Sequence, residues 1–567
     1  MENVVIERTL SKNGHPIIKM NGLYIHSKYD PVQEAKRIVE KEYESGYLMI
    51  LFGYGLGYVA DELMKKNNGE NLLIIDPLYE ELHPNHSHHE VEVLTDYSRI
   101  ELNYAIASST KNYSKKIKVV VTPNYDRLLP EEYLFLLNVV KDVQNVNQVH
   151  VNTTNRYAEA WEKNYISNLY HLLNEPTIYE LKKQYDCPVV LASGGPSLTK
   201  QLPLLKQYRN KLILISAGST VNSLIQAGIE PDYIVTVDGG IENYAHFSKV
   251  SFQQAELMYA VSSYFQIQDE FPNRKYGFLS DSDIEFQRHI QKLFSIDAPL
   301  VTGGTSVANF AFTIATLITS GPIALIGQDL AFTNNQTHAA NNKFAKELDA
   351  QFLKNRHVFE VDGYYGDKVL TDYAFYSMKQ SFEELNRILK VESSIWNCTE
   401  GGVKIEGIRQ MAFQSFCEKY VAQYQNVEKV KIDEQVEEKT DRFIEIMEQE
   451  LKHYDQVIRD ITSALQMVLG SKGKGYFKSS TLNKMNKFDE NIKMVMAKVS
   501  MNKILEPIII DMMNNYQPIV NENAEQTFQR VYNQNKEMYS RLLEAVEKSK
   551  RYTHEVIVKV KSRCQNG

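Results

Sequence analysis

Cysteine is scarce in this chain, four in 567 residues, and Cys187, Cys398, Cys417 and Cys564 stand too far apart for any metal-ligand spacing. That argues against a disulfide scaffold and a zinc module, and predicts free thiols in a reducing compartment. Long apolar runs are missing too. No window reaches about 18 uninterrupted apolar residues, so no membrane-spanning helix is expected. The opening MENVVIERTL has neither the basic nor the apolar stretch of a secretory signal, which gives the expectation of a cytoplasmic protein that is not exported. Positive charge is not in excess: 63 Lys and Arg face 71 Asp and Glu, for a formal net charge of −8. General attraction to nucleic acid or to an anionic membrane is therefore not expected. Also absent is Gly-x-x-x-x-Gly-Lys-Ser/Thr, the phosphate loop of many nucleotide enzymes.

What is present is the composition of a globular protein, 43% hydrophobic and 24% charged, long enough for several cores. Three regions follow one another. In the first, residues 1–150, an apolar run from Leu48 to Phe52 meets Gly53, Gly55 and Gly57; a helical pattern spans Val59 to Met64, and a second apolar run ends at Asp76. This predicts a Rossmann-like strand, turn, helix and strand. Two readings stand open. The turn is a nucleotide or S-adenosylmethionine pocket with Asp76 on a ribose hydroxyl, or its glycines only let the chain turn tightly. The third region, 410–567, carries long helical periodicity rich in Glu, Lys, Gln and Asn, exemplified by VEKVKIDEQVEEKTDRFIEIMEQELKHYDQ. It predicts an all-α bundle, with LGSKGKGYFKSS at 469–480 as a loop between helices.

The central region, 151–409, alternates strand-like and helix-like patterns and predicts a parallel α/β sheet whose ligand lies at the carboxyl ends of the strands. Four constellations fall there. CPVVLASGGPSL ends in Ser193, Gly194, Gly195, Pro196 and Ser197, a turn whose free N–H groups and hydroxyls suit a phosphate or carboxylate. PDYIVTVDGG ends in Asp238, Gly239 and Gly240, an acid followed by residues that cannot obstruct a ligand. VTGGTSVANFAF sets Gly303, Gly304, Thr305 and Ser306 at the start of an apolar helix, a second anion cradle. PIALIGQDLAFTNNQTHAA delivers Gly327, Gln328 and Asp329, with His338 beyond. Each also reads as plain architecture, a capped helix or an acid closing a loop. Four together at the strand ends of one sheet suggest a phosphorylated ligand.

In this order, SGGPSL, AGIEPDYIVTVDGG, GGTSVANFAF and IGQDLAFTNNQTHA resemble the motility-associated factor (Maf) family of flagellin glycosyltransferases. The resemblance covers the central region, and the flanking regions agree with the family's layout. It implies a central domain similar to bacterial sialyltransferases. It also implies transfer of a nonulosonic acid, such as pseudaminic or legionaminic acid, from its CMP-activated form to Ser or Thr of flagellin, without a metal or other cofactor. Carried over, the CMP-sugar site comprises Gly194, Gly195, Pro196, Ser197, Asp238, Thr305 and Ser306, lined by Gly327 and Asp329, with Ser193, Gly239, Gly303, Gly304 and Gln328 beside them. Asp238, Asp329, His338 and Asp372 are the candidate catalytic residues; where sialyltransferases place their base histidine this chain reads YYGDKVLTDYAFYSMKQSF, with Asp367 and Asp372 but no histidine. Phe332 offers no hydroxyl to a leaving phosphate, which leaves Tyr364, Tyr365, Tyr373 and Tyr376. Flagellin would be the partner, and an assembly of several copies is compatible with the resemblance. The same motifs also resemble archaeal hydroxymethylpterin pyrophosphokinases, in which Asp238 and Asp329 would hold Mg²⁺ for ATP chemistry. A flagellin-binding chaperone without activity is the non-enzymatic alternative.

Overall fold

Short runs of valine, isoleucine and leucine buried on both faces make the central strands of the two parallel sheets, the pattern of sheets covered on each side by helices. The computed structural model describes residues 5–67, 71–84, 92–110, 116–339, 349, 353, 356, 358–389, 394–432, 439–518 and 522–566. The chain forms two compact units, one of Met1–Ala158, Thr462–Lys487 and Leu505–Leu542, the other of Glu159–Ile461, Phe488–Ile504 and Leu543–Gly567. Among the described residues no helix is long and apolar enough to cross a membrane.

In the first unit β1 (Ile6–Leu10), β2 (Pro16–Met20) and β3 (Leu23–Tyr24) form an antiparallel sheet. A parallel sheet of β4 (Leu48–Phe52), β5 (Leu72–Ile75), β6 (Val93–Leu94) and β7 (Ile117–Val121) has the order β6-β5-β4-β7. Counted along the chain that order is 3-2-1-4, the beginning of the doubly wound arrangement. Alternation along β4 sends Ile50 and Phe52 into one core with Ile75, Leu102 and Ile106, and Met49 and Leu51 into another with Val39, Ala60 and Leu63.

The second unit is built on a larger parallel sheet. Its strands are β8 (Val189–Ala192), β9 (Ile213–Ala217), β10 (Tyr233–Thr236), β11 (Glu256–Ala260), β12 (Lys275–Ser280), β13 (Leu300–Val301) and β14 (Ile323–Ile326). After a hairpin of β15 (Phe359–Asp362) and β16 (Lys368–Thr371), β17 (Ile395–Asn397) and β18 (Arg409–Gln410) complete the sheet. The order is β13-β12-β11-β10-β9-β8-β14-β17-β18, and every pairing is parallel. The chain lays β8 to β13 outward in one direction, then crosses back through the almost wholly buried helix Val307–Ile318 and places β14 on the other flank of β8. The direction reverses between β8 and β14, and the crevice at such a reversal is where open α/β sheets take their ligands.

The carboxyl-terminal region is helical, with Thr440–Leu469, Ser479–Met496, Glu506–Asn515 and Ala524–Asn566. It departs from the expected separate bundle in two ways. Its helices are divided between the two compact units. Residues 427–432, placed in a helix by their periodicity, form no helix: Val427, Val430 and Ile432 pack on the core of the central sheet, and Val427 N–H donates to Asn210 O at 2.9 Å. Periodicity alone does not distinguish a strap with alternate residues on a core from a helix face. The next part of that pattern, 433–438, lies outside the described residues. The boundaries drawn at 150 and 409 fall inside the continuous helix Pro130–Asn174 and inside β18.

Candidate functional site

At the reversal point the chain itself answers what the turn after β8 holds. Gly195 N–H donates to Gly327 O at 2.8 Å, Ser197 N–H to Asp329 Oδ2 at 3.1 Å, and Ser197 Oγ to Asp329 Oδ1 at 2.7 Å. A Cβ on Gly195 would lie 2.2 Å from Asp329 Oδ2 and 2.6 Å from Gly327 O, so only glycine permits this closure. Asp329 is 1% exposed, and burial raises its carboxyl above the ordinary aspartate value despite the Ser197 bonds. Asp329, expected as a catalytic or metal-holding carboxylate, is buried here and bonded to the turn through Ser197. The other polar groups here are likewise committed. Ser193 Oγ donates to Gln328 Oε1 at 2.5 Å, Gln328 N–H to Thr399 Oγ1 at 3.1 Å, and Gly327 N–H to Gln201 Oε1 at 3.1 Å. Leu330 and Glu400, at φ +52° and +55°, flank this network in the left-handed region that non-glycine residues avoid. Gln201 and Thr399 were not anticipated as parts of this site; the signal was the strand-like SSIWNC running into TEGG, the same apolar-then-glycine pattern as the other four.

Beyond β14 the loop returns to the same turn, since Ala339 N–H donates to Gly194 O at 2.9 Å. This carries the half-buried His338, whose Nδ1 lies 3.1 Å from Thr337 Oγ1, to the residue next to the β8 turn. Asp372 has another task. It is the N-cap of helix Tyr373–Ile388: its Oδ1 accepts from Phe375 N–H at 2.9 Å, its Oδ2 accepts from Arg356 Nη1 at 3.0 Å, and it is 2% exposed. Asp372, expected as a candidate base, thus serves here as a helix cap and ion-pair partner. Asp367 is exposed in the turn of the β15–β16 hairpin. Tyr364 hydroxyl donates to Asn397 O at 3.1 Å and Tyr365 hydroxyl to Glu400 O at 3.2 Å, while Phe359 packs on the rings of Tyr373 and Tyr376.

The second expected cradle is a capping box. Ser306 Oγ accepts from Asn309 N–H at 3.3 Å, Asn309 Oδ1 accepts from Ser306 N–H at 3.1 Å, and Thr305 is exposed beside them. Gly303 and Gly304 admit Phe310 and Ser381, the nearest atoms to a Cβ at each. Hydroxyl and N–H of Ser306 are thus used within the helix start and are not presented to an anion.

Asp238 stands apart. It follows β10, two strands from β8 and so about 10 Å along the sheet. Its backbone is held, Asp238 O accepting from Tyr264 N–H at 3.1 Å and from Asn243 Nδ2 at 2.8 Å, but among the described residues nothing hydrogen-bonds its carboxylate. The side chain is exposed, yet the protein packed around it raises its carboxyl above the ordinary value by desolvation alone. Such a carboxylate is open to a substrate and shifted toward the range of a proton acceptor.

The glycine turn of the first unit is closed by its own side chains. Asp76 is 0% exposed, its Oδ2 accepting from Tyr54 N–H at 2.8 Å and from Tyr125 hydroxyl at 2.9 Å, its Oδ1 from Leu78 N–H at 2.8 Å. The Tyr125 ring lies 2.4 Å from where a Gly53 Cβ would stand. Of the two readings of this turn, the tight-packing one fits: Asp76 has no oxygen left for a ribose.

Residues 163–335, which include the turns after β8, β10 and β14, match the family model described as 6-hydroxymethylpterin diphosphokinase MptE-like. An uncharacterized protein of Treponema pallidum (strain Nichols) is 32% identical over 71 residues, 12% of this chain and 24% of that protein, so the chain spans about a quarter of the length of the curated relative it matches. The structure of a Maf glycosyltransferase from Magnetospirillum magneticum AMB-1 is 15% identical with a TM-score of 0.52, over 99% of this chain and 92% of that one. The chain thus has, over almost its whole length, the fold of that Maf glycosyltransferase.

Proposed function

We propose that this protein is a glycosyltransferase that moves a nonulosonic acid, of the pseudaminic or legionaminic kind, from its CMP-activated donor to Ser or Thr of flagellin, a step serving flagellar assembly and motility. The observation that carries the reading is the likeness in fold to a Maf glycosyltransferase across 99% of this chain, flanking regions included. The site supports it. The turn after β8 is fixed by the chain itself and is met by the loop that carries His338, and two strands from β8 Asp238 offers an open carboxylate of raised basicity.

In this account the acceptor hydroxyl gives its proton to Asp238 while its oxygen bonds the anomeric carbon. The bond from that carbon to the CMP phosphate breaks, and CMP leaves with the electron pair. One direct displacement inverts the anomeric centre. The leaving phosphate needs donors rather than a proton, which Gly194 at the turn and the hydroxyl of Thr305 would supply. The reaction runs without metal on flagellin in the cytoplasm, whether by one copy of this chain or several.

A second reading has its own observation, the match of 163–335 to the diphosphokinase-like model. Against it, Asp329 is buried on Ser197 and so is not positioned to share a Mg²⁺ with Asp238. A third reading, a chaperone that binds flagellin without reacting, has no observation in its favour. One assay separates the three: purified protein with CMP-nonulosonic acid and flagellin in EDTA, and in parallel with ATP, Mg²⁺ and hydroxymethylpterin. The proposal expects CMP release that requires flagellin and survives EDTA; AMP release in the second mixture would instead establish the diphosphokinase.

A further inference from the structure

Helix Pro130–Asn174 carries Trp161, Asn164 and Asn168 at spacings of three and four, hence on one face. That face meets the loops leaving β10 and β11, where the strands end and backbone carbonyls lose their ladder partners. Asn164 Nδ2 donates to Gly239 O at 3.0 Å and to Ser262 O at 2.9 Å, and its Oδ1 accepts from Phe265 N–H at 3.2 Å. Asn168 Nδ2 donates to Val261 O at 2.9 Å and to Ser263 O at 2.8 Å. Asn164 is 1% exposed and Asn168 is 0% exposed. Trp161 closes the contact: a Cβ on Gly239 would lie 2.4 Å from Trp161 Cδ1 and 2.8 Å from Ser262 O, so the loop is seated directly on the indole.

A helix face packed on a sheet is ordinarily apolar, and burying a primary amide costs free energy unless it is fully bonded. Here two amides spend their donors on four carbonyls from two adjacent loops. One of those carbonyls belongs to the residue after Asp238, and the other loop returns to Asp238 through Tyr264 N–H. The loops are thereby tied to the helix and to each other around a carboxylate that, among the described residues, has no hydrogen bond of its own. We propose that Asn164 and Asn168 are positioning residues for Asp238, holding the Asp238–Gly239 and Val261–Tyr264 loops at a fixed height on Trp161 so that the carboxylate meets the acceptor hydroxyl. The last clause rests on the proposed transferase reading; the positioning itself does not.

Two variants of the full chain test it from opposite sides. Asn164→Asp replaces the donating NH₂ by an oxygen of equal size that faces two carbonyls. Gly239→Ala leaves the helix intact and drives the loop off Trp161. Amide hydrogen exchange of residues 237–241 and 261–265, read beside the strands of the central sheet, measures the loops directly. The expected result is exchange faster by on the order of tenfold in both loops with the strands still protected, and flagellin transfer in which kcat falls by roughly 10- to 100-fold while KM stays within about twofold, as a misplacement near 1 Å produces. Unchanged exchange in the loops, or exchange raised evenly across the whole sheet, would overturn the proposal, as would a loss carried by KM alone. If one variant does not fold, the other still gives both readouts. If the wild-type protein transfers nothing, the exchange result alone decides the positioning claim, and only the transferase reading falls.

Discussion

Asp238 and Asp329 stand in turns three strands apart at one edge of the same sheet, and burial raises the carboxyl of each, yet their surroundings set them to different work. Asp329 accepts from the N–H and hydroxyl of Ser197; the Asp238 carboxylate accepts from nothing among the described residues and is exposed. Asp329→Ala should therefore lower stability by about 1–3 kcal/mol, because it leaves buried donors of Ser197 unmet. Asp238→Asn should leave the melting temperature within a degree or two and abolish transfer; thermal denaturation beside a transfer assay separates the two. As pH falls, a proton on Asp238 removes the acceptor, so activity should drop on the acid side with a midpoint above the ordinary aspartate value of 3.8. Thiols give a check that needs no substrate. Cys187, Cys398 and Cys417 are buried, and burial pushes the thiols of Cys187 and Cys417 up to about 12, while Cys564 is exposed. A thiol reagent should label one cysteine in the native protein and four after denaturation; rapid native labelling of a second would contradict this burial.

At the scale of elements, the strands of the central sheet were legible because each is a short apolar run stopped by Gly, Ser or Asp, and their carboxyl ends do form one edge. What those ends hold was less legible. A glycine turn that binds an anion and one that binds the protein's own Asp329 have the same sequence, since both need free N–H groups and no Cβ. Ser306 and Asp372 show the same limit: a serine or aspartate before a helix is equally a cap and a ligand, and here Asn309 and Phe375 make them caps. The asparagines of helix Pro130–Asn174 gave no motif at all, because their partners are carbonyls about 75 to 98 residues away. The glycine turn after β4 belongs to this scale as well. Gly53 has φ +88° and the Tyr125 ring against it, so Gly53→Ala should cost about 1–3 kcal/mol in a chemical-denaturation experiment.

At the scale of the molecule, chain order and packing diverge. Sequence suggested three consecutive domains, whereas helices such as Pro130–Asn174 and Ala524–Asn566 run from one compact unit into the other, a continuity no composition shift reveals. Within the second unit two buried glutamates clasp the segment before Leu505: Glu162 accepts from Asn502 N–H at 3.0 Å and Ser549 Oγ at 2.8 Å, and Glu450 accepts from Ser500 Oγ at 2.6 Å. Burial, with Glu162 adding its charge, pushes Glu450 from 4.5 up to about 7. The folded protein thus keeps a proton there that the unfolded chain releases above about pH 4.5. This stabilisation is complete below that value and is lost as pH rises through about 7. Calorimetry between pH 5 and 8 should show stability falling with pH by on the order of 1–3 kcal/mol, and Glu450→Gln should flatten the slope. The central claim is most directly tested by the intact mass of flagellin co-expressed with this protein and a CMP-nonulosonic acid pathway, with Asp238→Ala and a strain lacking the protein as controls. The account predicts added mass in units of one nonulosonic acid with the wild type alone; unmodified flagellin, with donor and folded protein verified, would contradict it.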